Sequence, residues 1–343
     1  AFEGSTKYRR TLLLVPTGSE TGYVVDLFEV EGGTVHDYLV HGSADFDQTL
    51  STDLALKSAE GEMVVSGDGK DGALYAYLKC TQKSDIAGDS TLRFEGEGTK
   101  VDIRLLDNHN AQLLTSEAPS IRRTREDDGK LDDFWYHVVC VRKREGKSRF
   151  ISVIEAHRGE GFVRSAEILA NQGNTFVLKV TEQAGTRTIV IDPDGEGIAT
   201  VLPDGRKVEV AGRAGVITEM IGEEIAKLEV LDGSRVQFGE SVIERTREYT
   251  GQIVTVVGDI SGEPSRSELI VDVTLPEDGS LDGKVLYVLH PSGAETVYLV
   301  EDVKREGDGT RVYLVGMPRF VRGRGKVASG STSRIESDLE HPQ

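Results

Sequence analysis

The sequence has few cysteines and tryptophans and no long apolar run. No apolar run approaches the roughly 20 residues that a membrane helix needs, so no bilayer-spanning segment is predicted. Cys80 and Cys140 are too few for a structural zinc site. They either form one disulfide between neighbouring strands or remain two free thiols. Trp135 is the single tryptophan, which leaves little indole surface for stacking against sugars.

Positive charge is also scarce. The 343 residues include 40 Lys and Arg against 58 Asp and Glu, which gives a formal net charge of −18. This balance argues against a general affinity for nucleic acid or anionic membranes, whose contacts need clustered Lys and Arg. An anionic ligand would have to be met by a local basic patch.

Several motifs that mark common enzyme classes are missing. The chain has no GxSxG elbow, no GxxxxGK[ST] phosphate loop and no HExxH pair. His36 and His41 are five residues apart in a predicted strand and therefore face opposite sides, so they are not expected to bind one metal ion. Asp37 and His41 share a face and could form a hydrogen bond across neighbouring strands. A structural role is the simpler interpretation, and the sequence assigns no catalytic and no metal-binding residue.

Alternation of apolar and polar residues, punctuated by Gly, Asp, Asn and Ser, predicts strands along nearly the whole chain. The best helix candidate is the short segment Glu219–Leu228, and the loops between Phe46 and Glu62 could carry one helical turn. We therefore predict an all-β fold, with a large antiparallel β-sandwich over residues 1–245 and a smaller β-rich domain over residues 246–322. The Gly-, Ser- and Arg-rich residues 323–343 are predicted to form a flexible tail.

Basic residues cluster in the long polar interval Thr115–Asp133. Arg122, Arg123 and Arg125 lie together there and are the candidate substrate-binding residues, because the guanidinium group can hold a carboxylate or sulfate bidentately. The alternative is that they pair with the chain's own acidic residues. A second basic cluster flanks a hairpin turn at Gly146 and consists of Arg142, Lys143, Arg144, Lys147 and Arg149. A third lies near the C-terminus and consists of Arg319, Arg322, Arg324 and Lys326.

Five segments resemble the β-sandwich of heparinase II/III-like polysaccharide lyases and related alginate lyases. They are YRRTL (Tyr8–Leu12), GYVVDLFEV (Gly22–Val30), the GG…HDY…HG pattern (Gly32–Gly42), APSIRR (Ala118–Arg123) and FISVIEAHRGE (Phe150–Glu160). These matches cover about the first 160 residues.

The resemblance implies a secreted, periplasmic or cell-surface protein in which an N-terminal (α/α) toroid and this sandwich clasp an acidic polysaccharide. The implied reaction is β-elimination, in which a base removes the C5 proton of a uronic acid and an acid protonates the leaving O4. In that family the catalytic residues, and the ligands of a zinc ion, lie in the helical domain or ahead of the YRR strand. We therefore carry over no catalytic residue and no cofactor to this chain, and expect it to be catalytically incomplete by itself.

Two other classes of function remain open. A β-rich structural protein could form a homo-oligomer, a filament or a surface matrix by pairing strand edges. A carbohydrate-binding module without lyase ancestry would bind glycans without needing a helical partner.

Overall fold

The computed structural model describes residues 4–63, 75–120, 122, 126, 129–130, 133–222, 227–244, 248–257, 267–289, 295–315 and 332–336. They form an all-β fold of antiparallel sheets, as predicted. The first twelve strands are β1 (Lys7–Pro16), β2 (Gly22–Glu31), β3 (His36–His41), β4 (Thr49–Thr52), β5 (Lys57–Ser58), β6 (Lys79–Ile86), β7 (Ser90–Gly96), β8 (Thr99–Leu106), β9 (Ala111–Pro119), β10 (Trp135–Lys143), β11 (Lys147–His157) and β12 (Val163–Gln172). The remaining strands are β13 (Thr175–Glu182), β14 (Gly185–Ile191), β15 (Ile198–Val201), β16 (Lys207–Met220), β17 (Lys227–Phe238), β18 (Ser241–Glu244), β19 (Glu248–Val257), β20 (Ser267–Val271), β21 (Val285–Leu289), β22 (Glu295–Glu306), β23 (Gly309–Leu314) and β24 (Thr332–Glu336).

Two sheets pack face to face to form the N-terminal sandwich. One has six strands in the order β1-β2-β11-β8-β7-β4, and the other has five in the order β3-β10-β9-β6-β5. Their shared core contains Phe28 and Phe150 from the six-stranded sheet and Tyr38 from the five-stranded sheet, with ring centroids 5.6–6.3 Å apart. Burying each large apolar side chain contributes about 1.5–3 kcal/mol, so this aromatic group is a main anchor between the sheets.

Strand β2 lies between β1 and β11 in the six-stranded sheet and is buried on both faces from Val25 to Val30. Its neighbour β1 is an edge strand, and alternate side chains of β1 are exposed. Because residues two apart share a face, Asp26 points to the same side as Phe28, toward the core between the sheets. An ionisable group therefore lies at a core position of a central strand.

The C-terminal part contains a seven-stranded sheet, in the order β12-β13-β14-β16-β17-β18 with β15 paired to β16, and a closed barrel in the order β19-β20-β23-β22-β21-β24. The chain divides into two compact units, Ala1–Leu169 with Val177–Thr188 and Ala170–Phe176 with Ile189–Gln343. The predicted boundary near residue 245 falls between the end of β18 and the start of β19. Strand β24 lies within the predicted tail, whose composition did not indicate a strand.

The helix predicted over Glu219–Leu228 is wrong at both ends. Glu219 and Met220 end β16, and Lys227 and Leu228 begin β17. The two strands pair with each other, with Thr218 opposite Lys227, so the chain must reverse direction within this segment. Gly222, with φ +88°, adopts the left-handed conformation that favours glycine in turns.

The two cysteines are both free, so the disulfide that the sequence left open is not formed. Cys80 is exposed on β6, whereas Cys140 is buried on β10. Strand β9 lies between β6 and β10, which separates the two by about two strand spacings. A disulfide requires Cα atoms within roughly 7 Å, so these positions are too far apart to be joined.

Candidate functional site

A cavity of about 450 Å³ opens between the two sheets of the N-terminal sandwich. We call it the inter-sheet cleft. It is lined by strands β1, β3, β7, β8 and β11 and by the loop that follows β3. Its polar lining residues are Arg10, His41, Ser43, Gln48 and Thr99. No Asp or Glu belongs to the described residues that line it.

Strand register brings Arg10 into the cleft. Arg10 lies opposite Phe28 in the β1–β2 pair, and its guanidinium reaches the diagonal neighbour Asp26. Arg10 Nη2 donates to Asp26 Oδ2 at 2.6 Å and Arg10 Nε donates to Oδ1 at 3.0 Å. Asp26 is fully buried, while the Arg10 side chain is 47 % exposed. The partly exposed guanidinium of Arg10 is thus held in a fixed orientation by the buried carboxylate of Asp26.

Tyr38 completes the polar group beneath the cleft. Its hydroxyl donates to Asp26 Oδ2 at 2.7 Å and lies 3.0 Å from Ser152 Oγ. Burial, reinforced by the Asp26 carboxylate, raises the pKa of Tyr38 well above its usual range. Its phenol therefore stays protonated at neutral pH and is suited to orienting Asp26, which in turn positions Arg10.

The loop after β3 forms one wall of the cleft and is tightly packed. The amide of Ser43 donates to Gln48 Oε1 at 2.5 Å, which ties the loop across its base. A Cβ at Gly42 would lie 2.7 Å from Gln48 Oε1 and 3.1 Å from the ring of Phe94, so a larger residue would displace the Gln48 side chain. His41 Nδ1 is 2.7 Å from the Gly42 carbonyl. Since a carbonyl only accepts, Nδ1 carries the proton, and Nε2 of the neutral ring is an acceptor.

Of the predicted substrate-binding residues, the structure describes Arg122 and leaves Arg123 and Arg125 outside the described residues. Arg122 forms an ion pair with Asp47 and lies over the ring of Phe134, 4.4 Å from its centroid. Asp47 is flanked in sequence by Phe46 and Gln48, which line the cleft. Arg122 therefore supports the wall of the cleft but, unlike Arg10, is not one of its lining residues.

The histidines of β3 have structural partners. His36 is buried, with Nδ1 2.7 Å from Ser148 Oγ and Nε2 2.6 Å from the Gly32 carbonyl. The possible Asp37–His41 hydrogen bond does not form. Asp37 instead accepts two hydrogen bonds from Arg142, which lies directly opposite in β10. Opposed residues are the nearest neighbours in a sheet, and this explains the choice of partner.

The basic cluster around Gly146 is mostly paired within the protein. Arg142 is buried against Asp37, and Lys147 and Arg149 face Glu31 and Glu29 at 2.6 and 3.8 Å. Lys143 Nζ donates to the Arg149 carbonyl at 2.7 Å. Arg144 is exposed and, with His109, lines a second cavity of about 550 Å³. The third cluster, from Arg319 to Lys326, lies outside the described residues.

Sequence reasoning missed Arg10, Asp26, Tyr38 and Ser152 as a group. One signal was present: Asp26 is an acid inside the otherwise apolar run of β2, and a buried carboxylate in a central strand needs a charged or hydroxyl partner. The identity of the partners depends on strand order, because Ser152 lies far along the chain, opposite Asp26 in β11. Composition does not reveal that pairing.

Two negative findings complete the description of the site. The described residues contain no group of three or more His, Cys, Asp or Glu side chains that could hold a metal ion. They also include no apolar helix of membrane-spanning length. No protein-family model matches this chain and no curated protein matches it, so the role of the inter-sheet cleft has to be argued from its residues.

Proposed function

We propose that this chain is the β-sandwich part of a polysaccharide lyase that cleaves uronic-acid-containing polysaccharide by β-elimination. In this proposal an N-terminal helical domain supplies the proton-transferring groups, and the sandwich holds the sugar acid. On a chain with a formal charge of −18, the observation that carries the proposal is the half-exposed guanidinium of Arg10. It binds the buried Asp26 through Nε and Nη2 and lines a cleft whose described lining residues include no acid. Such a cleft is a place where a polyanion can approach an acidic protein.

The chemistry of elimination gives Arg10 a role. Removal of the C5 proton places negative charge on the uronate carboxylate, and a guanidinium fixed beside that carboxylate stabilises the charge as it develops. Asp26 and Tyr38 hold the guanidinium in place before the sugar arrives. This fixed orientation lowers the cost of reorganisation during the reaction.

The same geometry supports a division of labour between two domains. Tyr38 has the phenol that an elimination would use as a base, but the hydroxyl is hydrogen-bonded to Asp26 and its pKa is raised by burial. A base must lose its proton near the operating pH. Tyr38 does not meet this requirement, and the base is therefore assigned to the helical domain.

The proposal is tested by an elimination assay that follows the ultraviolet absorbance of unsaturated uronates. The chain alone should produce no rise in absorbance with alginate, heparin or chondroitin. A version with an N-terminal (α/α) toroid, fused or added separately, should produce one. Clear activity of the chain alone would overturn the division of labour, and glycan binding that never leads to cleavage would favour a binding module.

Arg10→Gln should weaken binding of an alginate oligomer by about tenfold, because a charge-assisted hydrogen bond to the carboxylate is lost. Arg9→Gln is the matched control. Arg9 directly precedes Arg10 in β1, faces the opposite side of the sheet and pairs with the buried carboxylate of Glu29 at 2.7 Å. Titration calorimetry of both variants separates the two roles, and an equal loss of affinity in both would refute a specific role for Arg10.

A second candidate function is assembly, and the edge strand β1 favours it. Tyr8, Leu12 and Leu14 are 54 %, 60 % and 68 % exposed at alternate positions of this strand. An edge strand with exposed apolar side chains is a template for pairing with another chain. Light scattering at high protein concentration discriminates the two: growing particles favour assembly, and a constant monomer mass argues against it.

A further inference from the structure

The interior of the inter-sheet cleft is apolar, although its mouth is charged. Phe94 and Ile103 are 2 % and 3 % exposed, whereas Val101, Ile154 and Phe46 are partly buried. We call the surface of Phe94, Val101 and Ile154 the floor of the cleft. A ligand that enters beside Arg10 therefore passes from a cationic rim to a hydrocarbon surface.

An apolar floor selects among sugar substituents. A hydroxyl or sulfate buried there loses hydration and gains few hydrogen bonds in return, which costs free energy, most of all for the charged sulfate. A methyl group gains free energy in the same place because it removes apolar area from water. The volume of about 450 Å³ lies in the range of small-ligand sites and is large enough for a substituted sugar unit.

We propose that the cleft is a subsite for an acetylated, unsulfated uronate chain, with the sugar carboxylate at Arg10 and the acetyl methyl on the floor formed by Phe94, Val101 and Ile154. This inference rests on the proposed function and names its substrate class. The rim supplies the groups for the polar atoms of the sugar: Gln48 and Thr99 line the cleft beside the floor. His41 Nε2 can accept from a sugar hydroxyl.

The test compares one polymer in two forms, O-acetylated polymannuronate and the same polymer after mild alkaline removal of its acetyl groups. The acetylated form should bind the intact chain about fivefold more tightly, the effect of burying one methyl group. Equal binding of the two forms, or tighter binding of the deacetylated form, would overturn the acetyl subsite and leave the uronate site intact. If neither form binds, the proposed function itself fails.

Val101→Phe fills the floor and should abolish the preference for the acetylated polymer, because the larger side chain takes up the space of the acetyl methyl group. Arg10→Gln should weaken the binding of both polymers by the same factor. If Val101→Phe does not fold, Ile154→Thr removes apolar surface and places a hydroxyl on the floor, and it should reduce the preference to about twofold. A preference that stays at about fivefold in a folded Val101→Phe or Ile154→Thr variant would show that the methyl group does not bind on this floor. Polymannuronate sulfate should bind less tightly than the acetylated polymer at equal ionic strength, and the reverse order would likewise refute the proposal.

Discussion

Arg142→Met should lower the free energy of unfolding by about 3–5 kcal/mol, the usual cost of removing one partner of a buried ion pair. The side chain of Arg142 is fully buried, and its Nε and Nη2 donate to the two Asp37 oxygens, each at 2.7 Å. It also donates to the carbonyls of Glu62 and Met63 at 3.1 and 2.9 Å. The variant leaves the Asp37 carboxylate and both carbonyls short of a donor. Urea unfolding, monitored by the fluorescence of Trp135 in the same strand, measures the loss.

Arg144→Met supplies the control for this prediction. Arg144 follows two residues later and is exposed, so its replacement should change the unfolding free energy by no more than about 0.5 kcal/mol. The double variant Arg142→Met with Asp37→Leu should be more stable than Arg142→Met alone, because no unpaired charge remains. If Arg142→Met and Arg144→Met unfold at the same urea concentration, the Arg142–Asp37 ion pair does not stabilise the fold.

The expected loss is large because Arg142 and Asp37 also bind Glu62, Met63 and Tyr75 on the outer face of the five-stranded sheet. Tyr75 donates to Asp37 Oδ2 at 2.8 Å, and Met63 forms a small core with Leu114 and Cys140. Burial raises the pKa of the Cys140 thiol well above its usual range, which keeps it protonated. The reaction of Cys140 with a thiol reagent is therefore a second measure of whether Met63 and Tyr75 have detached from the sheet.

The strands that could be predicted from sequence are those bounded by short polar turns. The sequence predicts the first three strands over Tyr8–Val15, Tyr23–Val30 and Val35–His41, close to the observed bounds of β1, β2 and β3. Strand β9 was not predicted. Its residues from Thr115 to Pro119 belong to a polar interval, yet Thr115 and Ser116 are buried. Their hydroxyls can be buried because neighbouring strands provide partners, as Thr81 does for Ser116 at 2.9 Å.

The candidate site was less predictable, because it depends on pairs that are distant in sequence. Arg122 was chosen because arginines cluster there, but a cluster does not report whether each charge is already neutralised by a residue such as Asp47. Arg10 was passed over since its partner Asp26 is 16 residues away and is reached only through the β1–β2 register. Local sequence patterns predict strands well, whereas the side chains that meet between strands follow from sheet order.

Alkaline pH should destabilise the N-terminal unit through two buried phenols. Tyr23 and Tyr38 are 1 % and 3 % exposed. Burial, with the nearby carboxylates of Glu182 and Asp26, raises the pKa of each phenol above its ordinary value of 10.0. Their contribution to stability is complete below pH 10, where the unfolded phenols are also neutral. It is lost as the pH rises toward the folded values, because only the unfolded chain gains by ionising.

The two phenols together should reduce the unfolding free energy by about 4 kcal/mol from pH 9 to pH 11.5, since each pKa unit corresponds to about 1.4 kcal/mol. Lys143 acts in the opposite direction, because burial lowers the pKa of its ammonium, and it will offset part of this loss. Tyr75, whose pKa is also raised by burial, adds to this loss. Urea unfolding measured across this pH range gives the slope of the unfolding free energy against pH. Tyr38→Phe should remove about 2 kcal/mol of the loss, whereas Tyr8→Phe, at a position that is 54 % exposed, should leave the loss unchanged. If Tyr38→Phe and Tyr8→Phe show the same slope as the parent chain, the Tyr38 hydroxyl is not held in its neutral form by the fold, and the proposed positioning of Asp26 and Arg10 loses its support.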